Sequence, residues 1–191
     1  VGLAQELIAQ GIENEESRFY NRFGQLLYKE KRGRFAGYPI PEVGIHRATL
    51  HMTLYRAACA RLGTDRIALG HQCVGTEETG DKVTLRFRDR PSVTADVAIA
   101  CDGVNSTVRR QFYPDEKMVF TGINTWRGVT RRKPILTGKS YMRVGSILTG
   151  KMVIYPIIDD VDENGNQLIN WMAEIKQNTF AQNDWNKPGD L

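Results

Sequence analysis

The 191-residue chain is poor in the features that most quickly place a protein in a class. It has three cysteines, at positions 59, 73 and 101, and no C-x-x-C spacing. An odd number of scattered cysteines argues against a disulfide framework or a zinc-ligand set, and fits buried thiols in a reducing cytoplasm. There are three histidines, of which His46 and His51 lie five apart; a helical metal pair needs three or four. No run approaches the ~20 apolar residues of a membrane helix, and no signal peptide opens the chain. No metal site and no membrane partner are expected.

The composition that remains is ordinary, with 41% hydrophobic and 25% charged residues. That excludes disorder and suits one domain or parts of two. The net charge of +4 gathers at Lys29, Lys31, Arg32, Arg34 and at Arg131, Arg132, Lys133. A nucleic-acid surface needs a basic face interleaved with aromatics. The first cluster instead brackets Gly33 and runs into Phe35-Ala36-Gly37-Tyr38-Pro39, the composition of a solvated loop, so no nucleic acid is expected. Asp160 to Gly165 imitates a calcium loop, but its twelfth position is Trp171, where a bidentate glutamate is required. It reads as a polar hairpin tip.

Periodicity orders the rest. Leu3, Ala4, Leu7 and Ile8 form one face of a short helix ending at Gly11. Arg18 to Tyr28 reads as a hairpin. Leu50, Leu54, Ala57, Ala58 and Leu62 make a helical stripe closed by Gly63. A short strand is expected at Ile67-Ala68-Leu69, then a hairpin from His71 to Arg88 bending at Thr79-Gly80-Asp81 and broken by Pro91. Val97 to Cys101 does not alternate, so it is predicted as a strand buried on both faces. Beyond Pro114 helical stripes vanish and strands follow one another. The expected division is 1–116 and 117–191.

One stretch carries more information than the others. The apolar run Ala98-Ile99-Ala100 stops at Cys101-Asp102-Gly103, and Asn105-Ser106-Thr107-Val108-Arg109-Arg110 opens a short helix. A strand thus delivers a carboxylate and a permissive backbone to its carboxyl end, where open α/β sheets bind ligands. The string resembles the second fingerprint of the FAD-dependent aromatic monooxygenases, the para-hydroxybenzoate and salicylate hydroxylase type. Asp102, Gly103 and Arg109 match it residue for residue. Ile45-His46-Arg47-Ala48-Thr49-Leu50 resembles the same family's I-x-R-x-x-L. A cation in a helix first turn is disfavoured by the dipole and is better explained by an anion partner. The strand around Cys73 matches one whose backbone passes the adenine. Trp126-Arg127-Gly128, Tyr155-Pro156 and Leu168 to Trp171 resemble strings of the salicylate-hydroxylase and phenazine-monooxygenase branch.

The resemblance implies a mixed α/β fold. Residues 1–116 would be a partial FAD-binding, Rossmann-like domain, and 117–191 part of a β-sheet-rich substrate domain. It implies FAD as cofactor, held by Arg47, Cys73, Asp102, Gly103 and Arg109, and NADH or NADPH as co-substrate. Trp126 and Tyr155 would line a pocket for a small aromatic substrate, which receives one oxygen atom from O2. No residue in the chain is assigned a catalytic role. A non-catalytic module of the same fold, or another FAD oxidoreductase such as a halogenase, epoxidase or reductase, is the alternative. The G-x-G-x-x-G turn that would hold the pyrophosphate does not occur. Val1-Gly2-Leu3 and Pro188-Gly189-Asp190-Leu191 read as cut from a longer protein. The chain alone is therefore expected to bind FAD poorly and not to turn over.

Overall fold

The structure is a computed structural model that describes residues 2–179; Val1 and the closing Pro188–Leu191 string lie outside them. Two compact units are present, 1–57 with 120–191, and 58–119. The first unit therefore joins the start of the chain to its second half, across the expected division at 116.

In the first unit, helix α1 (Ala4–Gln10) ends at Gly11, whose N–H donates to Ile8 O at 3.4 Å. Strand β1 (Ile12–Glu13) then pairs antiparallel with β4 (Val43–Gly44). A Cβ at Gly44 would sit 2.6 Å from the Pro156 carbonyl oxygen, so only glycine lets this ribbon approach so closely. β2 (Glu16–Tyr20) and β3 (Leu26–Lys31) form the expected hairpin. Asn21 closes it by accepting the N–H groups of Phe23 and Gln25, both at 3.0 Å, the local bonding that suits asparagine to turns.

The hairpin is part of a larger sheet. With β8 (Ile123–Arg132), β9 (Ser140–Ser146), β10 (Gly150–Ile158) and β11 (Gln167–Lys176) it makes six strands in the order β3-β2-β9-β10-β11-β8. Every neighbouring pair is antiparallel except β2 and β9. That parallel seam is fixed by one carboxylate. Glu16 is 1% exposed and accepts from Arg18 Nε at 2.5 Å, Lys29 Nζ at 2.8 Å and Ser140 Oγ at 2.7 Å. Burial alone would push its carboxyl up, but the hydrogen bonds from Lys29, Ser140 and Arg18 outweigh it and hold the pKa at about 2. One group thus ties β2, β3 and β9 together.

At the other side of the sheet, Trp171 stands opposite Gly128. A Cβ at Gly128 would lie 2.2 Å from Trp171 Cζ2, so the indole lies directly against the glycine backbone. Its Nε1–H donates to Thr130 Oγ1 at 3.1 Å. This contact accounts for the glycine of Trp-Arg-Gly and the tryptophan of Leu-Ile-Asn-Trp by packing alone.

Helix α2 (Arg47–Leu62) carries the chain into the second unit. Its closure is as expected, with the Gly63 N–H on Cys59 O at 2.9 Å. Its apolar stripe is not buried as expected: Leu54 and Leu62 are exposed, and the one buried residue is Thr53, which accepts from Gln10 Nε2 at 3.1 Å. The second unit holds a three-stranded antiparallel sheet of β5 (Cys73–Thr79), β6 (Lys82–Phe87) and β7 (Arg90–Ala95), and the short α3 (Thr107–Phe112). Gln111 fastens α3 to β5: its Oε1 accepts the Thr76 N–H at 2.9 Å and its Nε2 donates to the Thr76 carbonyl.

Four expectations fail in this unit. Residues 67–69 form no strand. Pro91 does not end the sheet but lies inside β7, which is an edge strand where a missing N–H costs no ladder bond. Most importantly, residues 97–101 are neither strand nor buried; Val97 is 72% and Ile99 83% exposed. An extended apolar run becomes a strand only when neighbours take its N–H and C=O groups, and no described strand pairs with this one. The thiols are not buried either: Cys59 and Cys73 are half-buried and Cys101 is exposed.

Two stability tests follow. Glu16→Ala breaks a buried ionic cluster and is expected to cost about 3 kcal/mol in urea unfolding at pH 7. The carboxyl titrates lower folded than unfolded, so its stabilisation is full above its normal value of 4.5 and is lost as pH falls towards about 2; the variant should lack that acid slope. Gly128→Ala should cost about 2 kcal/mol through overpacking and change the Trp171 fluorescence.

Candidate functional site

The Asp102–Gly103 turn is built from local chemistry. Gly103 has φ +81°, and no atom lies within 4 Å of where a Cβ would be; glycine is needed here for its conformation, and the space over the turn is open. Asp102 folds back on α3, accepting the N–H of Thr107 at 2.9 Å and of Val108 at 3.5 Å. Ser106 is the helix cap, accepting the Arg109 N–H at 2.9 Å. A hydrogen bond from Ser106 first, then those of the Val108 and Thr107 amides, hold the Asp102 carboxyl below the usual aspartate value. The free amides of this helix end are therefore answered by the chain's own side chains.

The second unit brings two of the expected residues to one place. Cys73 and Asp102 both line a cavity of about 300 Å³, whose walls include Leu85, Ile99, Val108 and Phe112. The Cys73 thiol points to the Gly75 carbonyl at 3.6 Å. Arg109 is not directed to the turn; its guanidinium pairs with Glu116.

Arg47 belongs to the first unit. It is the first residue of α2 and is exposed. The helix end is capped by His46, whose Nδ1 accepts the Ala48 N–H at 3.2 Å. Among the described residues no carboxylate lies within 4 Å of the Arg47 guanidinium. This differs from the basic clusters, where Lys29 pairs with Glu16, Arg32 with Glu30 and Glu42, Arg34 with Glu13, and Arg131 with Asp162. Arg47 keeps its charge available to an anion. Asp162 is likewise consumed locally, accepting from Asn164 N at 3.0 Å and Asn166 Nδ2 at 2.9 Å. Among the described residues no group of three His, Cys, Asp or Glu side chains could hold a metal.

Trp126 and Tyr155 do not share a face of the six-stranded sheet. Trp126 stands in the row Val144, Met152, Ala173, Trp126, beside the row Met142, Ile154, Trp171, Gly128. Tyr155 pairs with Asn170 and through it with Val129, three places from Trp126 along β8. Successive strand residues alternate sides, so an odd offset puts Tyr155 on the opposite face. There it stacks on Tyr141, with centroids 5.5 Å apart. Sequence strings could name both residues, but only the register separates them.

Comparison with known proteins defines the class. Residues 1–148 match the family described as FAD binding domain. The chain belongs to the FAD-binding monooxygenase family. Over its whole length it is 29% identical to the phenazine 1,6-dicarboxylic acid hydroxylase PhzS of Lysobacter antibioticus, of which it covers 49%. Zeaxanthin epoxidase of Nicotiana plumbaginifolia is 29% identical over 154 residues, 75% of this chain and 22% of that protein. In fold, 96% of the chain superposes on 46% of Klebsiella pneumoniae HpxO R204Q complexed with FAD, with a TM-score of 0.70 and 19% identity. The whole chain superposes on 47% of a salicylate hydroxylase substrate complex, with a TM-score of 0.65 and 22% identity. The mixed α/β fold is thus that of part of an FAD monooxygenase. The chain spans about half the length of PhzS and less of the other relatives named here.

Removing the cap should unfasten α3. Ser106→Ala is expected to cost about 1 kcal/mol. In Asp102→Asn, hydrogen exchange at the Thr107 and Val108 amides should accelerate. Because the Asp102 pKa is depressed, the unsubstituted turn should show the same acceleration only in acid, below its normal value of 3.8.

Proposed function

We propose that this chain forms part of an FAD-dependent monooxygenase that hydroxylates a small aromatic substrate with NADH or NADPH and O2. The observation that carries the reading is the Asp102–Gly103 turn. Its backbone is open above Gly103, and its carboxylate orders the helix that follows. FAD fits the residues present. Arg47 offers an exposed cation with no carboxylate partner among the described residues, suited to a phosphate. Gly103 lets a ligand approach the backbone, and Cys73 and Asp102 share an apolar cavity wall. Arg109 acts as a positioning residue, with its backbone in the cap and its side chain on Glu116.

When bound, FAD supplies the redox and oxygen chemistry. The chain's own residues hold it and exclude water. The face of the six-stranded sheet that bears Trp126 is suited to covering a planar substrate. Over β9, β10, β11 and β8 its two central rows contain no ionisable side chain, although the Met142 row continues into Arg18 and Lys29 on β2 and β3, and Met152 on it is 41% exposed. Trp126 then belongs to the aromatic wall, and Tyr155, on the other side, does not. The β2–β3 hairpin serves with this sheet, and Arg47 together with 58–119 serves the cofactor. Three unpaired thiols suit a reducing cytoplasm.

The full activity belongs to this chain joined to the further length that the relatives carry. Epoxidation is the second reading, favoured by the zeaxanthin epoxidase likeness. The test is to purify the chain with its flanking coding sequence. The expected protein is yellow and oxidises NADH or NADPH faster when an aromatic acid is present, releasing a hydroxylated product. Arg47→Ala should weaken FAD binding about tenfold, about 1.4 kcal/mol. The 191-residue chain alone should bind FAD weakly. A colourless protein with no affinity for FAD would sink the reading, and an epoxide product would replace it with the second.

A further inference from the structure

The closed end of the β2–β3 hairpin presents apolar side chains to solvent. Phe23 is 74% and Leu27 68% exposed, and Leu26 and Tyr28 are exposed as well. Gly24 has φ +80° and no atom within 4 Å of where a Cβ would be, so the space over the turn is open. The register passes from Tyr20 opposite Leu26 to Phe19 opposite Tyr28 and leaves Leu27 without a partner. This bulge breaks the usual alternation, and two adjacent leucines are exposed together.

The polar groups of the turn are answered within it. Asn21 N donates to Gln25 O at 3.0 Å and Gly24 N to Asn21 O at 3.1 Å. Phe23 N and Gln25 N both donate to Asn21 Oδ1, and Asn21 Nδ2 donates to Gln25 Oε1 at 2.6 Å. Such closure lets a turn leave water without stranding its amides.

Aromatic and basic residues stand behind the apolar end in the order that a lipid surface selects. Tyr20 and Tyr28 flank the leucines, as rings do at the level of lipid headgroups. Arg22 lies over Phe23, its guanidinium carbon 4.7 Å from the ring centroid, with a stem long enough to carry the charge back to water. Among the described residues no carboxylate pairs with Arg22 or with Lys31. Arg18 and Lys29 share the single carboxylate of Glu16, so the hairpin keeps an excess of positive charge. A protein partner is a poorer match, because a stable interface takes about 20–30 residues a side and this apex offers only Phe23 and the two leucines. No described helix is long and apolar enough to cross a membrane. The expected absence of a membrane partner rests on there being no spanning run, and docking at the surface needs none.

We propose that the Phe23–Leu27 turn docks this protein on an anionic lipid surface. Phe23, Leu26 and Leu27 enter the boundary between headgroups and acyl chains, and Arg22 meets the lipid phosphates. Docking of this kind needs neither FAD nor the proposed substrate surface.

The test mixes the purified full chain with vesicles of equal parts phosphatidylcholine and phosphatidylglycerol, or of phosphatidylcholine alone, and measures the protein that sediments with them. The expected result is binding to the anionic vesicles that exceeds binding to the neutral ones by about tenfold and is released by salt. Phe23→Ser combined with Leu27→Ser should lower the affinity by about tenfold or more, and Arg22→Gln by about fivefold. These side chains are exposed, and circular dichroism confirms that each variant is folded. In Phe23→Trp the added indole should shift its emission to the blue with anionic vesicles, which reads entry of the turn directly. Failure to bind anionic vesicles overturns docking. So does binding that survives the combined Phe23→Ser and Leu27→Ser change, or a Phe23→Trp emission that lipid leaves unmoved. Equal binding to both kinds of vesicle overturns the anionic class. Sedimentation without lipid separates the protein alternative: a dimer that Phe23→Ser dissolves would assign the turn to a second copy and overturn the lipid. None of these outcomes bears on whether the longer protein binds FAD.

Discussion

The architecture of the first unit depends on Glu16. A buried carboxylate is costly unless several donors meet it, and here the donors come from three strands: Arg18 on its own strand, Lys29 on β3 and Ser140 on β9. Glu16 and Ser140 are 124 residues apart in the chain. Closing such a loop is expensive in entropy, though the cost grows only slowly with length. The ionic cluster makes the closure specific. Without it, β2 and β3 would be a two-stranded hairpin, which is marginal in water. With it, the hairpin becomes the edge of a six-stranded sheet, and the start of the chain shares a unit with its second half.

That join gives the sheet two faces of different chemistry. Over β9, β10, β11 and β8 the rows on one side carry Trp126, Trp171, Met142, Met152 and Ile154, with the ionic cluster of Glu16, Arg18 and Lys29 on the same side at β2 and β3; rows on the other hold Arg143, Lys151, Glu174, Tyr141 and Tyr155. Phe19 and Ser17 reach the second face only because β2 runs parallel to β9 in this register. A slip of one residue would exchange them for Glu16 and Arg18. The buried Glu16 cluster is thus also what holds the register, since moving it by one place would strand the carboxylate away from Ser140.

Local chemistry was legible in the sequence, and pairing was not. The α2 helix, its Gly63 stop and the hairpins at 16–31 and 73–87 all rest on interactions within a few residues, and they appear in the structure. The errors are all about neighbours. Residues 97–101 have the composition of a buried strand but lack a partner strand among those described. The apolar stripe of α2 meets the same fate at Leu54 and Leu62. Pro91 was read as a break because its sequence does not disclose that β7 is an edge. That residues 1–57 share a compact unit with 120–191 leaves no local trace in the sequence, because the Glu16 to Ser140 contact joins distant positions. At the site, Asp102 and Gly103 announce themselves by type and order.

The Asp102 turn shows why a motif of this kind can be read before its surroundings are known. Its carboxylate, its glycine and its serine cap complete one another within six positions, Asp102 to Thr107 and Val108, Ser106 to Arg109. Nothing distant is required to form it. The run of 97–101 that leads into it is the reverse case, apolar and exposed, a segment whose burial needs neighbours from elsewhere. The same few residues therefore combine a self-sufficient turn with a strand-like approach that has no described partner. A preformed turn of this kind needs no ligand in order to fold, so in the proposed FAD site its shape precedes the ligand. That is preorganisation: the ordering cost is met in folding and is not charged again against binding.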